Sequence, residues 1–121
     1  MGALIVSVVA LVTDLMFSTK ISSTGAAVNV PVRVVRTADE LEPGADLLLV
    51  DLDAEDAIAA IERCRTMIPS PRIVAFGPHV RADLFAAARE AGADEVLPRS
   101  AFVARLPDLL KTDSSGGAVR E

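Results

Sequence analysis

Aromatic, cysteine and histidine side chains are scarce in this sequence of 121 residues. Trp and Tyr are absent and four Phe bring the aromatic content to only 3%, so stacking platforms for single-stranded nucleic acid or sugars are not expected. The single cysteine, Cys64, excludes an internal disulfide. With one histidine, His79, the chain has no Cys/His cluster with zinc spacing, and we expect His79 to lie on a surface loop.

Basic residues are also few. The 12 Lys and Arg side chains are outnumbered by 17 Asp and Glu, which gives a net charge of −5. Such a chain lacks the basic surface of a nucleic-acid-binding protein, and we expect no nucleic-acid partner. The sequence contains no P-loop, no G-x-G-x-x-G fingerprint and no G-x-S-x-G elbow. Because no pair of nucleophile and base can be assembled from it, we expect no enzymatic turnover.

The longest apolar run is too short to cross a membrane. It extends from Ala3 to Val12, is broken only by Ser7 and is cut off by Asp14, whereas a membrane span needs about 20 apolar residues. The run resembles a signal-peptide core, but no Lys or Arg precedes it. A parallel strand covered on both faces accounts for it better. We therefore expect a cytoplasmic protein without membrane contact.

Short apolar runs punctuate the whole chain. Hydrophobic residues make up 51% of the sequence, and the runs are rich in Val, Ile and Leu without alternating polar residues. This pattern is typical of strands that are buried on both faces. The predicted strands are residues 3–12, 32–35, 47–50, 73–76 and a weaker 96–97.

Helical patterns fill the intervals between these runs. In the stretch 54–68, Ile58, Ile61, Cys64 and Ile68 are spaced to form one buried face of a helix.

The other helices are marked at their ends. A helix over 81–91 is predicted to stop at Gly92, and Ser100 is predicted to cap a last helix over 101–110. Residues 37–40 read as a capping box, although Pro43 and Gly44 soon follow.

Strands and helices thus alternate five times along the chain. This alternation predicts a single α/β domain, a doubly wound, flavodoxin-like parallel sheet with strand order 2-1-3-4-5. We expect the domain to occupy residues 1–111 and a disordered tail to occupy residues 112–121, which contain Ser114-Ser115-Gly116-Gly117.

In such a sheet, ligands bind beyond the carboxyl ends of the strands. The first strand is followed by Asp14, the third by Asp51, and the fifth by Arg99. Because the first and third strands are neighbours, Asp14 and Asp51 are predicted to face one another, which favours a divalent cation or a raised pKa. Helix capping by Asp14, and by Asp51 or Asp53, is the alternative.

Three segments resemble response-regulator receiver domains. Residues 47–52, Leu-Leu-Leu-Val-Asp-Leu, resemble the third strand of that family, and residues 92–100 resemble its Gly-Ala-Asp…Lys segment. Val12-Thr13-Asp14 resembles the acidic end of its first strand. The resemblance implies that Asp51 is the phosphoacceptor and that Asp14 and Asp51 would hold Mg²⁺ if the pocket is open.

The departures from the receiver pattern are as informative as the matches. Thr13 replaces one acid of the family's acidic pair and Arg99 replaces its lysine, while Asp14 is kept. Gly77 stands at the position of the switch hydroxyl, and Val96 at that of the switch aromatic. The resemblance therefore implies a degenerate, stand-alone receiver whose signal does not depend on a conventional phosphorylation switch, and which requires no cofactor.

Three functions stay open at this point. The first is a signalling module that binds another protein, or itself as a homodimer through the last two helices. The second is a genuine phosphoacceptor of a two-component relay, and the third is a small-molecule-binding domain that uses the same crevice. A salt bridge between Arg99 and Asp51 would favour the first, because the guanidinium would then take the place of the metal.

Overall fold

The alternating pattern of the sequence is present in the computed structural model, which describes residues 7–119 and their side chains up to residue 111. Residues 3–6 of the predicted first strand lie outside the described residues. The elements are β1 (Val8–Leu11), α1 (Leu15–Ala27), β2 (Val32–Val35), a 3₁₀ turn (Ala38–Glu40), β3 (Leu47–Asp51), α2 (Ala57–Arg65), β4 (Arg72–Gly77), α3 (Ala82–Ala91), β5 (Glu95–Pro98) and α4 (Arg99–Val119).

The five strands form one parallel sheet in the order β2-β1-β3-β4-β5, which confirms the predicted topology. Leu11 pairs with Val50, and Asp51 pairs with Phe76. This register brings the carboxyl ends of β1, β3 and β4 to the same edge of the sheet, where a ligand site is expected.

Successive side chains of a strand point to opposite faces of the sheet, so the apolar runs contribute to two cores, one on each face. Helices α2 and α3 cover one face, where Leu48, Val50 and Ile61 are buried. Helices α1 and α4 cover the other, where Leu49 and Phe102 are buried. Because each fully buried Val, Leu or Ile side chain contributes about 1.5–3 kcal/mol, both cores hold the sheet firmly.

Local signals at two turns are confirmed. The Thr37 and Glu40 side chains form the capping box of the 3₁₀ turn. Gly92 ends α3 with a φ of 122°, a backbone conformation that a residue with a Cβ atom rarely adopts.

Two predictions about helix boundaries are wrong. Helix α2 ends at Arg65, and Ile68 is 91% exposed instead of lying on the buried stripe. Ser100 does not cap the last helix, because α4 already begins at Arg99.

The far end of α4 bears on the predicted domain boundary. The helical backbone continues past Lys111 to Val119. The division into a domain of residues 1–111 and a disordered tail of residues 112–121 stays a prediction. Within residues 7–119, the structure contains no helix with the length and apolar character that a membrane span requires.

Candidate functional site

Asp51 ends β3 in the middle of the sheet and is the most deeply buried charged side chain of the site. Its side chain is 1% exposed. The backbone N–H of Asp53 donates a hydrogen bond to its Oδ1 atom at 2.9 Å. Burial raises the pKa of Asp51 above its ordinary value, while this N–H and the positive charge of Arg99 oppose the rise. The Asp53 N–H and the Arg99 charge thus favour the ionised form of this carboxylate against the effect of burial.

Arg99 supplies that charge from the first turn of α4. Its Nη2 atom lies 3.1 and 3.4 Å from the two carboxylate oxygens of Asp51. The same nitrogen lies 2.7 Å from Oδ2 of Asp53. We call these three side chains the Arg99 cluster. Partial burial opposes the charge of Arg99, but the two carboxylates raise its pKa overall.

Three phenylalanines lie beneath the Arg99 cluster, and the sequence did not predict this arrangement. The guanidinium carbon of Arg99 lies 5.2 Å from the ring centroid of Phe17. The Phe17 centroid is 5.1 Å from that of Phe76 and 6.0 Å from that of Phe102. Phe76 and Phe102 stack at 4.0 Å. The signal in the sequence is faint: Phe76 precedes Gly77, and Phe102 follows Arg99 by three positions.

Asp14 takes the alternative role that the sequence left open. Its Oδ1 accepts hydrogen bonds from the backbone N–H groups of Met16 and Phe17 at 2.9 and 3.2 Å, so it caps α1. Neighbouring Thr13 is exposed, and its carbonyl accepts a hydrogen bond from Arg36. The capping alternative fails for Asp51 and Asp53, because Asp56 stands at the N-cap position of α2.

The carboxylates at this edge do not fit a magnesium ion. Asp51 and Asp53 contact Arg99, and Asp14 caps a helix. In the described part of the chain, no three His, Cys, Asp or Glu side chains lie close enough together to hold a metal. The predicted Mg²⁺ site of Asp14 and Asp51 required an open pocket, whereas the guanidinium of Arg99 already contacts the Asp51 carboxylate.

Gly77, the last residue of β4, has little free space around the position that a Cβ atom would occupy. A Cβ atom at this position would lie 3.2 Å from Cβ of Leu52 and 3.6 Å from the Phe85 ring. Val96, at the position of the switch aromatic, is 8% exposed and belongs to the core beneath α2 and α3. His79 is exposed in the loop after β4, as the sequence predicts.

Solved structures resemble this fold along nearly the whole chain. A LuxR family DNA-binding response regulator from Silicibacter pomeroyi has a TM-score of 0.69 at 22% identity, over 92% of this chain and 93% of that one. A response regulator receiver protein from Pseudoalteromonas atlantica has a TM-score of 0.74 at 12% identity, over 91% and 98%. The chain has the receiver fold.

A third similar structure contains a modified side chain and bound ligands. It is a response regulator from Burkholderia pseudomallei with a phosphorylated aspartic acid, a calcium ion and citrate, with a TM-score of 0.71 at 20% identity, over 93% of this chain and 71% of that one. No protein-family model and no curated protein sequence matches this chain. Similarity at these identities establishes the receiver fold, and function has to be argued from the site.

Proposed function

We propose that the chain is a receiver-like signalling module that acts by binding another protein, without a conventional phosphorylation switch at Asp51. In this proposal it has no turnover of its own and requires no metal. The observation that carries the proposal is the contact of one Arg99 nitrogen with carboxylate oxygens of both Asp51 and Asp53. The guanidinium supplies a positive charge to these carboxylates from the chain itself, where a receiver with a metal site would use a divalent cation.

The Arg99 cluster also obstructs transfer of a phosphoryl group to Asp51. The acceptor carboxylate is 1% exposed and its oxygens lie against Arg99. A phosphoryl donor would have to displace the guanidinium from Asp51 or approach the carboxylate beside it. Phosphoryl transfer depends on positioning and on neutralisation of charge, so this geometry disfavours the reaction.

Neither Gly77 nor Val96 has a polar side chain that could link Asp51 to the surface of α3. Gly77 has no hydroxyl to contact a phosphoryl oxygen, and Leu52 and Phe85 occupy the space around it. Val96 is an aliphatic core residue that can make no polar contact. These features support a module whose output does not depend on phosphorylation of Asp51.

We infer that the output passes to a protein partner, which can be a second copy of the chain, through α3 and α4. These helices carry charges of both signs on their outer surfaces. Arg81 pairs with Asp83 at 2.9 Å, and Arg105 pairs with Glu95 of β5 at 3.0 Å. Such exposed pairs contribute little to folding, so they are available to determine which surface a partner meets.

The proposal is tested by phosphorylation of the intact chain. The protein is incubated with Mg²⁺ and millimolar acetyl phosphate, and its mass is measured. A second sample is mixed with Mg²⁺ and beryllofluoride while amide chemical shifts are recorded. We expect no change in mass, and no shift at Asp51 or Arg99. A conventional receiver treated in parallel shows that the reagents are active.

Two variants make the outcome specific. An added phosphoryl group on the wild-type protein that disappears in Asp51→Asn would overturn the proposal. Arg99→Lys restores the lysine of the receiver pattern, so it tests whether the arginine is the obstacle. If Arg99→Lys gains a phosphoryl group and the wild-type protein does not, the proposed role of Arg99 is supported.

The second candidate function, a genuine phosphoacceptor, rests on the position of Asp51. The residue ends β3 at the sheet edge, and the Burkholderia pseudomallei structure with the same fold contains a phosphorylated aspartic acid. An arginine can pair with phosphate through its planar fork. This candidate predicts the opposite result: the wild-type chain is phosphorylated at Asp51 and Arg99→Lys reacts no faster.

A further inference from the structure

The Arg99 cluster contacts the α1/α4 face of the sheet through an aromatic ring. Toward α1, the guanidinium lies over the ring of Phe17 at 5.2 Å, within the range of a cation–π interaction. This contact links a charge at the sheet edge to a residue in the first turn of α1. Arg99 itself stands in the first turn of α4, so one side chain joins both helices of that face.

The phenylalanine rings extend this contact into the core between α1 and α4. Phe17 lies against Phe76 of β4 and Phe102 of α4, with centroids 5.1 and 6.0 Å away. Phe76 and Phe102 are fully buried and stacked. A close-packed core transmits a displacement of Phe17 to its neighbours, because it has little free volume to absorb one.

The contact between Arg99 and its partners is incomplete. The Nε atom of Arg99 is buried and has no hydrogen-bond partner among the described residues. A buried donor without an acceptor costs free energy. The position in which Arg99 pairs with Asp51 and Asp53 is therefore less stable than a fully hydrogen-bonded one. The side chain is 34% exposed, which leaves it a path to solvent. Arg99 therefore has the features of an element with two positions.

We propose that Arg99 couples the carboxylates of Asp51 and Asp53 to the α1/α4 face through the Phe17 ring. When Arg99 leaves the carboxylates, the first turns of α1 and α4 loosen while α3 stays unchanged. This inference rests on the proposed function, because it takes the ion-paired Arg99 as the resting state of the site. Of the two helices of the proposed partner surface, it identifies α4 as the one that responds to the site, together with the first turn of α1.

Hydrogen exchange on the full chain tests the direction of the coupling. Exchange is compared between Asp51→Asn and Asp51→Asn/Arg99→Gln, so that no buried carboxylate is left without its counter-charge. The double variant lacks the cation, and a cation–π contact changes an opening equilibrium by about two- to fivefold. We expect amide exchange to accelerate by about that factor in residues 15–21 and 99–106, with residues 82–91 unchanged. Acceleration in residues 82–91 equal to that in residues 15–21 would overturn the proposal.

A second pair of variants keeps the ion pairs and changes only the rings. Phe17→Leu removes the ring beneath Arg99, and Phe85→Leu makes the same change on the opposite face, where Phe85 is also half-buried. The measurement is the Nε–H resonance of Arg99. We expect a shift in Phe17→Leu and the wild-type position in Phe85→Leu. Equal shifts, or none in Phe17→Leu, would contradict the coupling.

These measurements are made without Mg²⁺, phosphate or beryllofluoride. Their outcome is therefore independent of the phosphorylation test. If the wild-type protein is phosphorylated at Asp51 but Phe17→Leu still shifts Arg99, the proposed function fails and the coupling stands. If the chain is not phosphorylated and Phe17→Leu has no effect, the coupling alone fails.

Discussion

The two faces of the sheet are buried to a similar degree, but they meet the site with different chemistry. On the α2/α3 face, Gly77 and Val96 lie among aliphatic and aromatic neighbours and offer the site no polar side chain. On the α1/α4 face, Arg99 combines two ion pairs with a contact to Phe17. Each face of the sheet thus meets the site through a different kind of side chain. Gly77 and Val96 lie on the α2/α3 face, and the contact of Arg99 with Phe17 lies on the α1/α4 face.

The largest effect is expected from Arg99→Ala. The substitution leaves the buried Asp51 carboxylate without its counter-charge, and removing one partner of a buried pair costs about 3 kcal/mol. We expect the free energy of unfolding to fall by that amount in urea titrations at neutral pH. Combining Arg99→Ala with Asp51→Asn removes the unpaired charge. A double variant that is as unstable as Arg99→Ala would show that lost packing, and not charge, is responsible.

The second effect tests the α2/α3 face. Gly77→Thr would restore a switch hydroxyl, but its Cβ would lie 3.2 Å from Cβ of Leu52, so Leu52 has to move. Overpacking of this kind costs about 1–3 kcal/mol. We expect Gly77→Thr to lower the free energy of unfolding. Leu52→Ala keeps its Cβ but removes the Cδ1 atom 3.6 Å from the new Cβ, which leaves room for the threonine hydroxyl and methyl groups, so we expect Leu52→Ala to cost less in Gly77→Thr than in the wild-type protein. Equal costs in the two backgrounds would mean that the two sites are independent.

A smaller effect concerns pH. The raised pKa of Asp51 means that the folded protein binds this proton more tightly than the unfolded chain does. The contribution of Asp51 to stability is therefore highest below its ordinary pKa of 3.8 and falls as the pH rises through the raised value of the folded state. We expect the stability of the wild-type protein relative to Asp51→Asn to decrease with rising pH over that window, in urea titrations at a series of pH values. A difference that is constant with pH would contradict the raised pKa.

The smallest effect on folding is expected from Arg105→Gln, on the surface of α4. The side chain is 45% exposed and pairs with Glu95, and exposed pairs contribute little. We expect an unchanged unfolding midpoint. If copies of the chain associate through α3 and α4, the same variant weakens association in sedimentation equilibrium. A wild-type chain that is monomeric at all concentrations would exclude the homodimer and leave a different protein as the partner.

Much of the fold could be predicted because its signals are local. The Val-, Ile- and Leu-rich runs predicted the strands, and Gly92 predicted the end of α3, since each depends on a few neighbouring residues. Ile68 was wrongly assigned to the buried stripe because its spacing fits a helix that in fact ends at Arg65. Its exposure depends on where the helix stops, which spacing alone does not reveal.

The site was predicted in part. The sequence placed Asp51 and Arg99 at one edge, since parallel strands end together. It left two roles open for Asp14, because an aspartate after a strand can cap a helix or face a neighbouring carboxylate with equal plausibility. Its hydrogen bonds to Met16 and Phe17 favour the cap. The stacking of Phe76 and Phe102 had no signal in local periodicity.

The order of the elements, the parallel sheet and the edge at which acidic and basic residues collect all follow from local patterns in the sequence. Tertiary structure decided which of those residues touch. Arg99 and Asp51 are 48 positions apart in the chain, and only the packing of α4 against the sheet brings them to 3.1 Å. Hydrophobic periodicity and helix caps act between near neighbours, whereas an ion pair over an aromatic ring requires three elements, β3, α1 and α4, to be in place.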